Sequence, residues 1–570
     1  MRAVQLLLLS GGRSGRRLGV RGLSAESAVT VRLPALGFLS RTRDRLLRLL
    51  EGAERTLVLA DRSALRLLRA GRLPSPLLRR VRVVVAASDG SVQTVAGTAL
   101  AAAHRPPGRS AHRRLGSLLD RELDRLRTEG EAAIRARLSR PARIVLVSPP
   151  FSGHLHPLLG VAHALRERGC RVLVCCTRDR REQIEGEGLE FLPLLAGREE
   201  RVQALAGVNR RGLRALPRTL RDLRRALRLM EAMVEELVAG LGDAVPDALV
   251  ADMTLPLAGA AAERLGCPWV TAHPSPCVIE TPDGPPCSFG GLGPARSGSE
   301  RLRESVLRAW GRLVKGVFFH LVVGRQPFLV RFPGARRADG SECFYSPSRI
   351  LCLGDREFEF ARRWPRSVRF TGPVAYTPRG PLAGTGASAA LRRGRRPLVV
   401  CTFGTHLPHV KRQLPVLLRR AAAMAPEAEI VLASGRPRPI EGFDGFGPDR
   451  ERENLRLVPC LDYARLDEAD LVVHHGGAGA CWAALASGRR QIVVPADYDQ
   501  PDNAERLARR GLAVRLRTPA QLPGAIRSAL DSMIDGPDPA AAARLAWQRR
   551  LRAVDGAGRA AEQILLDMGR

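Results

Sequence analysis

Lysine is almost absent from this chain. Only Lys315 and Lys411 are lysines among its 91 basic residues, and with 57 acidic residues the net charge is +34. The abundance of arginine, alanine, glycine and proline is what a GC-rich genome produces. That bias accounts for arginine in place of lysine but not for the excess of basic over acidic residues, so an attraction to polyanions or to anionic lipid surfaces stays open.

Aromatic residues are also scarce, at 4% of the chain. No basic patch interleaved with aromatics, no zinc-finger spacing and no helix-turn-helix pattern is found, and these are the usual signatures of nucleic-acid-binding modules. We therefore expect no nucleic-acid partner.

Long apolar runs are missing as well, since none approaches the roughly 18 residues of a transmembrane helix. The apolar segment 313–330 is interrupted by Lys315 and Arg325. We expect a buried helix beside a binding pocket there, and peripheral contact with a membrane is the second interpretation.

The 11 cysteines are odd in number, all follow residue 169 and include no Cys-x-x-Cys pair. This pattern indicates neither a disulfide framework nor a zinc site. We expect reduced cysteines, no bound metal and a cytoplasmic location.

The most informative stretch follows an apolar strand at Leu471 to Val473. A glycine-rich turn leads into an alanine-rich helix, whose first backbone N–H groups converge where an anion can bind. A second strand, Gln491 to Val494, precedes Asp499 and Gln500, which are good partners for sugar hydroxyls. This order suits a nucleotide-sugar site.

The stretch resembles the donor-binding signature of GT-B glycosyltransferases related to UDP-glycosyltransferases, in the bacterial form found in macrolide glycosyltransferases and rhamnosyltransferases. The shared pattern is His-Gly-Gly-x-Gly, Ala-Leu-x-x-Gly, Pro and Asp-Gln-x-x-Asn-Ala. In that family the histidine and the following amides hold the donor diphosphate, and the Asp-Gln pair holds the sugar. The donor-binding residues that the resemblance implies are His475, Gly476, Gly477, Gly479, Asp499 and Gln500.

Three positions depart from the family pattern. Ala480 stands where relatives carry Ser or Thr, Ala483 where many carry Glu or Gln facing the ribose, and Arg490 where many carry Pro. The lost hydroxyl at Ala480 removes on the order of 1 kcal/mol of phosphate binding. A GT-B-like protein that binds a nucleotide or a partner without catalysis is therefore the alternative.

A second resemblance covers residues 143–177. Arg143 to Val147 is an apolar strand, a loop runs to His156, and Pro157 to Arg168 has helical spacing before the strand Arg171 to Cys176. This unit is similar to the family's N-terminal opening, Gly-His-x-x-Pro. The resemblance implies that His154 is the general base for the acceptor hydroxyl, with His156 as its rival.

An alcohol is a poor nucleophile until its proton is accepted, and a histidine near its normal pKa can accept it. The strand that runs to Asp252 resembles the family strand that ends in the carboxylate orienting the imidazole. We expect Asp252 in that role and Asp247 as a surface residue at the strand start.

A third segment, Leu398 to Thr402, is an apolar strand followed by Phe403-Gly404-Thr405. It resembles the turn that opens the family's C-terminal domain. Gly404 and Thr405 are thereby expected at the carboxyl end of a strand, where open α/β sheets bind ligands. Thr405 is the expected hydroxyl donor to the phosphates.

The resemblances predict an α/β protein of the GT-B class, with two Rossmann-like doubly wound domains facing a cleft.

Residues 1–140 form a basic extension of unknown fold, whose 28 arginines and 11 acidic residues give half of the net charge. Helical patterns occur there at 39–50 and 117–138 and a strand pattern at 80–87. The first 20 residues have a transit-peptide-like composition, and an extension of a bacterial enzyme or a start codon chosen too far upstream are equally open interpretations. The expected divisions after it are an acceptor domain at 141–375, a linker at 376–396, a donor domain at 397–535 and a C-terminal helix at 536–570 that crosses back onto the first domain.

The expected activity is inverting, metal-independent transfer of a sugar from a UDP- or dTDP-sugar to a hydroxyl of a small, apolar or lipid-like acceptor. The donor is a co-substrate, and no further cofactor is expected. A nucleotide-sugar epimerase on the same fold is a second rival.

Overall fold

The computed structural model describes the backbone of five strands before residue 140 and most of the chain after it. The later described residues are 140–205, 216–242, 244–318, 336–337, 340–376, 391, 394–404, 413–433, 435, 454–458, 461–534 and 538–568. The chain divides into two compact units, Met1–Arg140 and Pro141–Arg570.

The first unit contains a five-stranded sheet in the order β2-β1-β3-β4-β5, in which only β5 runs antiparallel to its neighbour. Its strands are β1 Val4–Ser10, β2 Ala28–Arg32, β3 Arg55–Asp61, β4 Val81–Ala86 and β5 Val92–Ala96. Strand β4 confirms the strand predicted at 80–87. The helices predicted at 39–50 and 117–138 lie outside the described residues.

The second unit begins with a seven-stranded parallel sheet in the order β12-β11-β10-β9-β6-β7-β8. Its strands are β6 Arg143–Val147, β7 Arg171–Thr177, β8 Glu190–Leu194, β9 Ala248–Asp252, β10 Trp269–His273, β11 Ile350–Cys352 and β12 Val368–Phe370. All residues of β9 and β10 are buried, as expected for a parallel sheet that is covered on both faces. We call the structure built on this sheet the first Rossmann-like domain.

Among the described residues, the helices that accompany this sheet are α1 Ser152–Glu167, α2 Arg181–Gly186, α3 Glu199–Leu205, α4 Leu216–Leu241, α5 Ala258–Leu265 and α6 Gly298–Phe318. Leu237 of α4 and Ala261 of α5 pack with Leu249 on one face of the sheet. Leu159 of α1 packs with Val250 on the other face. The two cores together bury the sheet.

The second Rossmann-like domain is built on a six-stranded parallel sheet in the order β15-β14-β13-β16-β17-β18. Its strands are β13 Leu398–Thr402, β14 Glu429–Ala433, β15 Leu455–Val458, β16 Leu471–His474, β17 Arg490–Val493 and β18 Val514–Arg515. Its helices are α7 Leu414–Met424, α8 Ala478–Ser487, α9 Gln500–Arg509 and α10 Leu522–Ile534. Each sheet runs outward from its first strand and then reverses, which is the doubly wound arrangement.

The C-terminal stretch forms two helices, α11 Ala541–Arg552 and α12 Gly556–Asp567, where the sequence predicted one. Ala560, Ala561 and Ile564 of α12 are fully buried in the same core as Leu159 of α1. The last helix therefore crosses back onto the first Rossmann-like domain, as predicted.

A buried ion pair also joins the two Rossmann-like domains. Nη2 of Arg506 lies 2.9 Å from Oε2 of Glu359, and their side chains are 1% and 3% exposed. The Arg506 guanidinium stacks over the ring of Phe360 at 4.6 Å. Of the predicted linker, residues 377–390 and 392–393 lie outside the described residues, whereas Leu391 is buried in the core of the second domain.

Two local predictions are wrong. The helix predicted from Pro157 begins earlier, at Ser152, so Pro157 lies in the second turn of α1 and not at the first helical position, where proline is commonest. His154 therefore lies in the first turn of the helix. Asp247 is buried, with 4% exposure, because its carboxylate accepts the backbone N–H of Arg143 at 2.9 Å.

The buried helix predicted at 313–330 is also wrong for its described part, which is the end of α6. Leu313, Val314 and Val317 are 58%, 50% and 46% exposed. The charged side of α6 faces the domain and bonds to it, so the apolar side faces outward. Residues 319–330 lie outside the described part of the chain.

Candidate active site

Both sheets of the second unit reverse their strand order at one point, and predicted site residues lie at both reversals. The first reversal falls between β6 and β9, and the second between β13 and β16. Loops diverge at the carboxyl ends of strands at such points and leave a crevice where ligands bind. His154 follows β6 and Asp252 ends β9, while Gly404 follows β13 and His475 follows β16.

His154 and Asp252 form a hydrogen-bonded pair. Nδ1 of His154 lies 3.0 Å from Oδ2 of Asp252, and the side chains are 26% and 1% exposed. Oδ1 of Asp252 accepts the backbone N–H and the hydroxyl of Thr254 at 2.9 and 2.6 Å. Because both carboxylate oxygens are engaged, the carboxylate is fixed. When Nδ1–H donates to it, the imidazole keeps a lone pair on Nε2 that can accept a proton.

The charges of the pair support each other. Burial alone would lower the pKa of His154, but the charge and hydrogen bond of Asp252, together with the charge of Asp499, raise that pKa above its ordinary value. Burial alone would raise the pKa of Asp252, but His154 and the bonds from Thr254 hold it below its usual range. Asp252 is therefore ionised near neutral pH, and His154 binds a proton more strongly than a free histidine.

His273, which no sequence motif marks, lies beside this pair. It ends β10, the strand next to β9, and its ring packs edge-on against Tyr345 at 5.2 Å. The side chain is completely buried, and neither ring nitrogen has a hydrogen-bond partner in the described structure. Burial lowers the pKa of His273 to about 3, so the ring is neutral. Its place at the carboxyl end of an apolar strand was the only sequence signal.

The glycine-rich turn after β16 is held by His474, which was not among the predicted site residues. The N–H of Gly476 donates to Nδ1 of His474 at 3.2 Å, and Nε2 lies 3.2 Å from Oε1 of Gln491. Burial lowers the pKa of His474 to about 4. The neutral ring can therefore accept one bond and donate the other, which connects the turn to strand β17.

The ring of His475 lies against two glycines. A side-chain carbon at Gly404 would come within 3.0 Å of Cε1 of His475, and one at Gly477 within 2.4 Å of Nε2. Gly404 also has a φ of +65°, which other residues rarely adopt. The structure thus brings together predicted residues from β13 and β16. Thr405 lies outside the described residues.

Asp499 and Gln500 are at the start of α9 and both contact protein groups. Oδ2 of Asp499 accepts the hydroxyl of Ser275 at 2.5 Å and the amide of Asn503 at 3.1 Å. Oε1 of Gln500 accepts the backbone N–H groups of Ala496 and Asp497 at 3.0 and 3.3 Å. Asp499 therefore meets a loop of the first domain across the cleft, while Gln500 shapes the loop before α9.

The departures from the family pattern have distinct surroundings. Arg490 donates from Nε to Asp538 at 2.8 Å and from Nη1 to Ser532 at 2.6 Å, so its guanidinium is engaged with the C-terminal side of the domain. Ala480 is buried in the first turn of α8. Ala483 packs against an apolar cluster of the same domain.

His156, the rival base, has other partners. Its ring stacks on Tyr376 at 4.5 Å, and its Nε2 lies 3.2 Å from Nε2 of Gln183. Burial, followed by the charge of Arg180, lowers the pKa of His156 to about 3. These contacts place it at the start of the predicted linker and not with Asp252.

Two family models match the chain. Residues 152–280 match the glycosyltransferase family 28 N-terminal domain. Residues 448–551 match the C-terminal domain of the erythromycin biosynthesis protein CIII-like family. The two matches fall on the two Rossmann-like domains.

Among relatives, the L-demethylnoviosyl transferase of Streptomyces niveus is 30% identical over 439 residues, which cover 74% of this chain and 98% of that protein. The chain belongs to the GT-B glycosyltransferases of the UDP-glycosyltransferase type. The 4'-demethylrebeccamycin synthase of Lentzea aerocolonigenes is 28% identical to this glycosyltransferase over 406 residues, covering 70% of this chain and 92% of the relative.

A solved structure shares the fold of this glycosyltransferase. The glycosyltransferase of kitacinnamycin has a TM-score of 0.55 and 24% sequence identity, and the match covers 75% of this chain and all of that one. The predicted GT-B fold class is thereby confirmed. In the described residues no group of three His, Cys, Asp or Glu side chains is arranged to hold a metal ion, and no helix is long and apolar enough to cross a membrane.

Proposed function

We propose that this glycosyltransferase is an inverting enzyme that moves a sugar from a UDP- or dTDP-sugar to a hydroxyl of a small, apolar acceptor. The observation that carries the proposal is the 3.0 Å contact between His154 and Asp252. It lies at the strand reversal of the first domain, where the charge of Asp499 from the second domain also reaches it.

In this proposal His154 acts as the base of a single displacement. Its Nε2 accepts the proton of the acceptor hydroxyl while the oxygen attacks the anomeric carbon and the bond to the diphosphate breaks. Attack from the face opposite the leaving group inverts that carbon. Asp252 keeps the Nδ1–H tautomer and stabilises the imidazolium that forms.

The donor is assigned to the second domain. The N-terminus of α8 favours an anion such as the donor diphosphate. The backbone amides of Gly477 and of the first turn, the helix dipole and His475 would all contribute to its binding. These donors offset the charge of the leaving diphosphate, a task that other transferases give to a metal ion. We therefore propose that the reaction needs no metal and no cofactor beyond the donor. Asp499 is assigned to the donor sugar.

The acceptor is assigned to the first domain. Beside Asp252 and His273 lies an apolar cluster that includes Met253, Ile279 and Tyr345. A neutral, fully buried imidazole in an apolar wall suits an acceptor that carries few polar groups, because a charged acceptor would lose its hydration there. The free cysteines of the described residues support the proposal of a reducing, cytoplasmic location.

The proposal is tested by incubating the purified protein with UDP- and dTDP-hexoses and a panel of apolar alcohols in EDTA. We expect nucleotide release that depends on the alcohol and survives the chelator, and a product whose anomeric configuration, read by NMR, is opposite to that of the donor. Retention of configuration, or activity that returns only with a divalent cation, would contradict it. Isomerisation of the donor sugar without transfer would identify an epimerase.

A further inference from the structure

Helix α6 is docked on the first Rossmann-like domain by its charged side. Arg312 Nε lies 2.7 Å from a carboxylate oxygen of Glu280, and Lys315 Nζ lies 2.6 Å from one of Glu342. Arg308 donates from both terminal nitrogens to backbone carbonyls of the domain at 2.8 Å. These bonds fix the rotation of the helix about its axis, so its opposite side must face outward.

The outward side is apolar. At about 100° per residue, six large apolar side chains fall within an arc of about 120°. We call this arc the apolar face of α6. Its members and their exposed fractions are Leu302 67%, Val306 58%, Trp310 57%, Leu313 58%, Val314 50% and Val317 46%. An amphipathic helix on a globular domain ordinarily buries this side, so the observed orientation is inverted.

One basic side chain accompanies the apolar face. Arg303 lies within the arc and is exposed. The chain as a whole carries a net charge of +34. Apolar side chains that include a tryptophan, together with Arg303 on the same face, suit the boundary between the headgroups and acyl chains of an anionic bilayer. The stem of Arg303 can extend along the apolar surface while its charge reaches lipid phosphates.

We propose that the apolar face of α6 binds the surface of anionic lipid bilayers, with the helix lying in the plane of the membrane. This contact is peripheral, and it does not depend on the proposed transfer reaction. Charge complementarity favours a lipid surface over a second copy of the chain, because two copies would bring like charges together.

The contact would also place the membrane on the acceptor side of the enzyme. Lys315 of α6 bonds to Glu342, whose backbone carbonyl accepts the N–H of Tyr345 at 3.2 Å. Tyr345 in turn packs on His273 beside the proposed base. This consequence, unlike the lipid contact itself, rests on the proposed function.

The test is co-sedimentation of the full chain with vesicles of phosphatidylcholine alone and of phosphatidylcholine mixed with phosphatidylglycerol. The variants are Trp310→Glu and Val306→Glu. The matched controls are Val416→Glu and Ile534→Glu, which replace apolar residues that are 66% and 77% exposed elsewhere. Thermal melting verifies that each variant folds, and light scattering gives the oligomeric state.

We expect the wild type and both controls to bind the anionic vesicles, and each α6 variant to bind about tenfold more weakly. Equal binding by the α6 variants and the controls would overturn the proposal, because the net charge alone would then account for binding. No binding of the wild type would overturn it as well. A dimer that Trp310→Glu dissociates, without any lipid binding, would show that the face contacts a second copy instead.

Discussion

The hydroxyl of Ser275 lies 2.5 Å from Oδ2 of Asp499, so a loop of the first Rossmann-like domain holds the carboxylate that we assign to the donor sugar. The same oxygen accepts the amide of Asn503 at 3.1 Å. The position of Asp499 thus depends on both domains, and a residue of the acceptor side is coupled to the binding of the donor.

The substitution Ser275→Ala removes this one hydrogen bond between the domains. A hydrogen bond to a charged group contributes about 1.5 to 3 kcal/mol, so we expect the KM for the donor to rise at least tenfold with a smaller change in kcat. Steady-state kinetics with varied donor measures both. Ser305→Ala is the control, because that hydroxyl is exposed and bonds only to its own helix. An unchanged donor KM would indicate that Asp499 does not bind the donor sugar.

The pH dependence of kcat/KM reports the base. His154 must be unprotonated to accept a proton, so activity falls as the pH drops below its pKa, which lies above the ordinary 6.5. In Asp252→Asn the opposing charge is lost while the burial that lowers the pKa stays. We therefore expect the acid limb to move to lower pH and the plateau to fall about a hundredfold. A limb that does not move would exclude His154 as the titrating group.

Gly404→Ala introduces a side-chain carbon 3.0 Å from the His475 ring, at a φ of +65°. Because the ring has to move, we expect the donor Kd, measured by calorimetry, to rise about tenfold, or ~1.4 kcal/mol. Gly524→Ala serves as the control, since a carbon there meets nothing within 4 Å. Equal donor binding by the two variants would mean that His475 does not contact the donor.

Glu359→Gln tests the buried ion pair that Glu359 and Arg506 form between the two domains. It leaves the Arg506 guanidinium buried without its counter-charge, which costs about 3 to 5 kcal/mol. We expect that loss in the free energy of unfolding from urea titration. Glu190→Gln, in an exposed pair with Arg171, should change it by less than about 0.5 kcal/mol. A similarly small loss of unfolding free energy for both variants would show that the buried pair does not stabilise the interface between the domains.

Much of the fold could be predicted because the pattern is local. Apolar runs such as Arg143–Val147 and Leu398–Thr402 are strands as expected, since buried parallel strands are continuously apolar. The pairing of His154 with Asp252 was inferred from a resemblance, and strand order explains it: the two residues are far apart in sequence but lie on adjacent strands at a reversal.

Other features could not be predicted, because they depend on tertiary partners. Asp247 was predicted at the surface, but its carboxylate accepts the backbone N–H of Arg143 in β6 and is buried. The apolar side of α6 looked like a buried stripe, yet the acids that bind its charged side lie at Glu280 and Glu342, distant in sequence. His273 and His474 carry no motif, and only their burial and neighbours reveal them.

We propose His154, and not His156, as the base. The most direct measurement is the rate of transfer to an apolar alcohol in EDTA by the wild type, His154→Ala and His156→Gln, each verified as folded by thermal melting. We expect a loss of about a hundredfold or more for His154→Ala and a rate within a few-fold of wild type for His156→Gln, because the His156 ring contacts Tyr376 and Gln183 instead. A His154→Ala enzyme that keeps its rate, or a larger loss in His156→Gln, would contradict it.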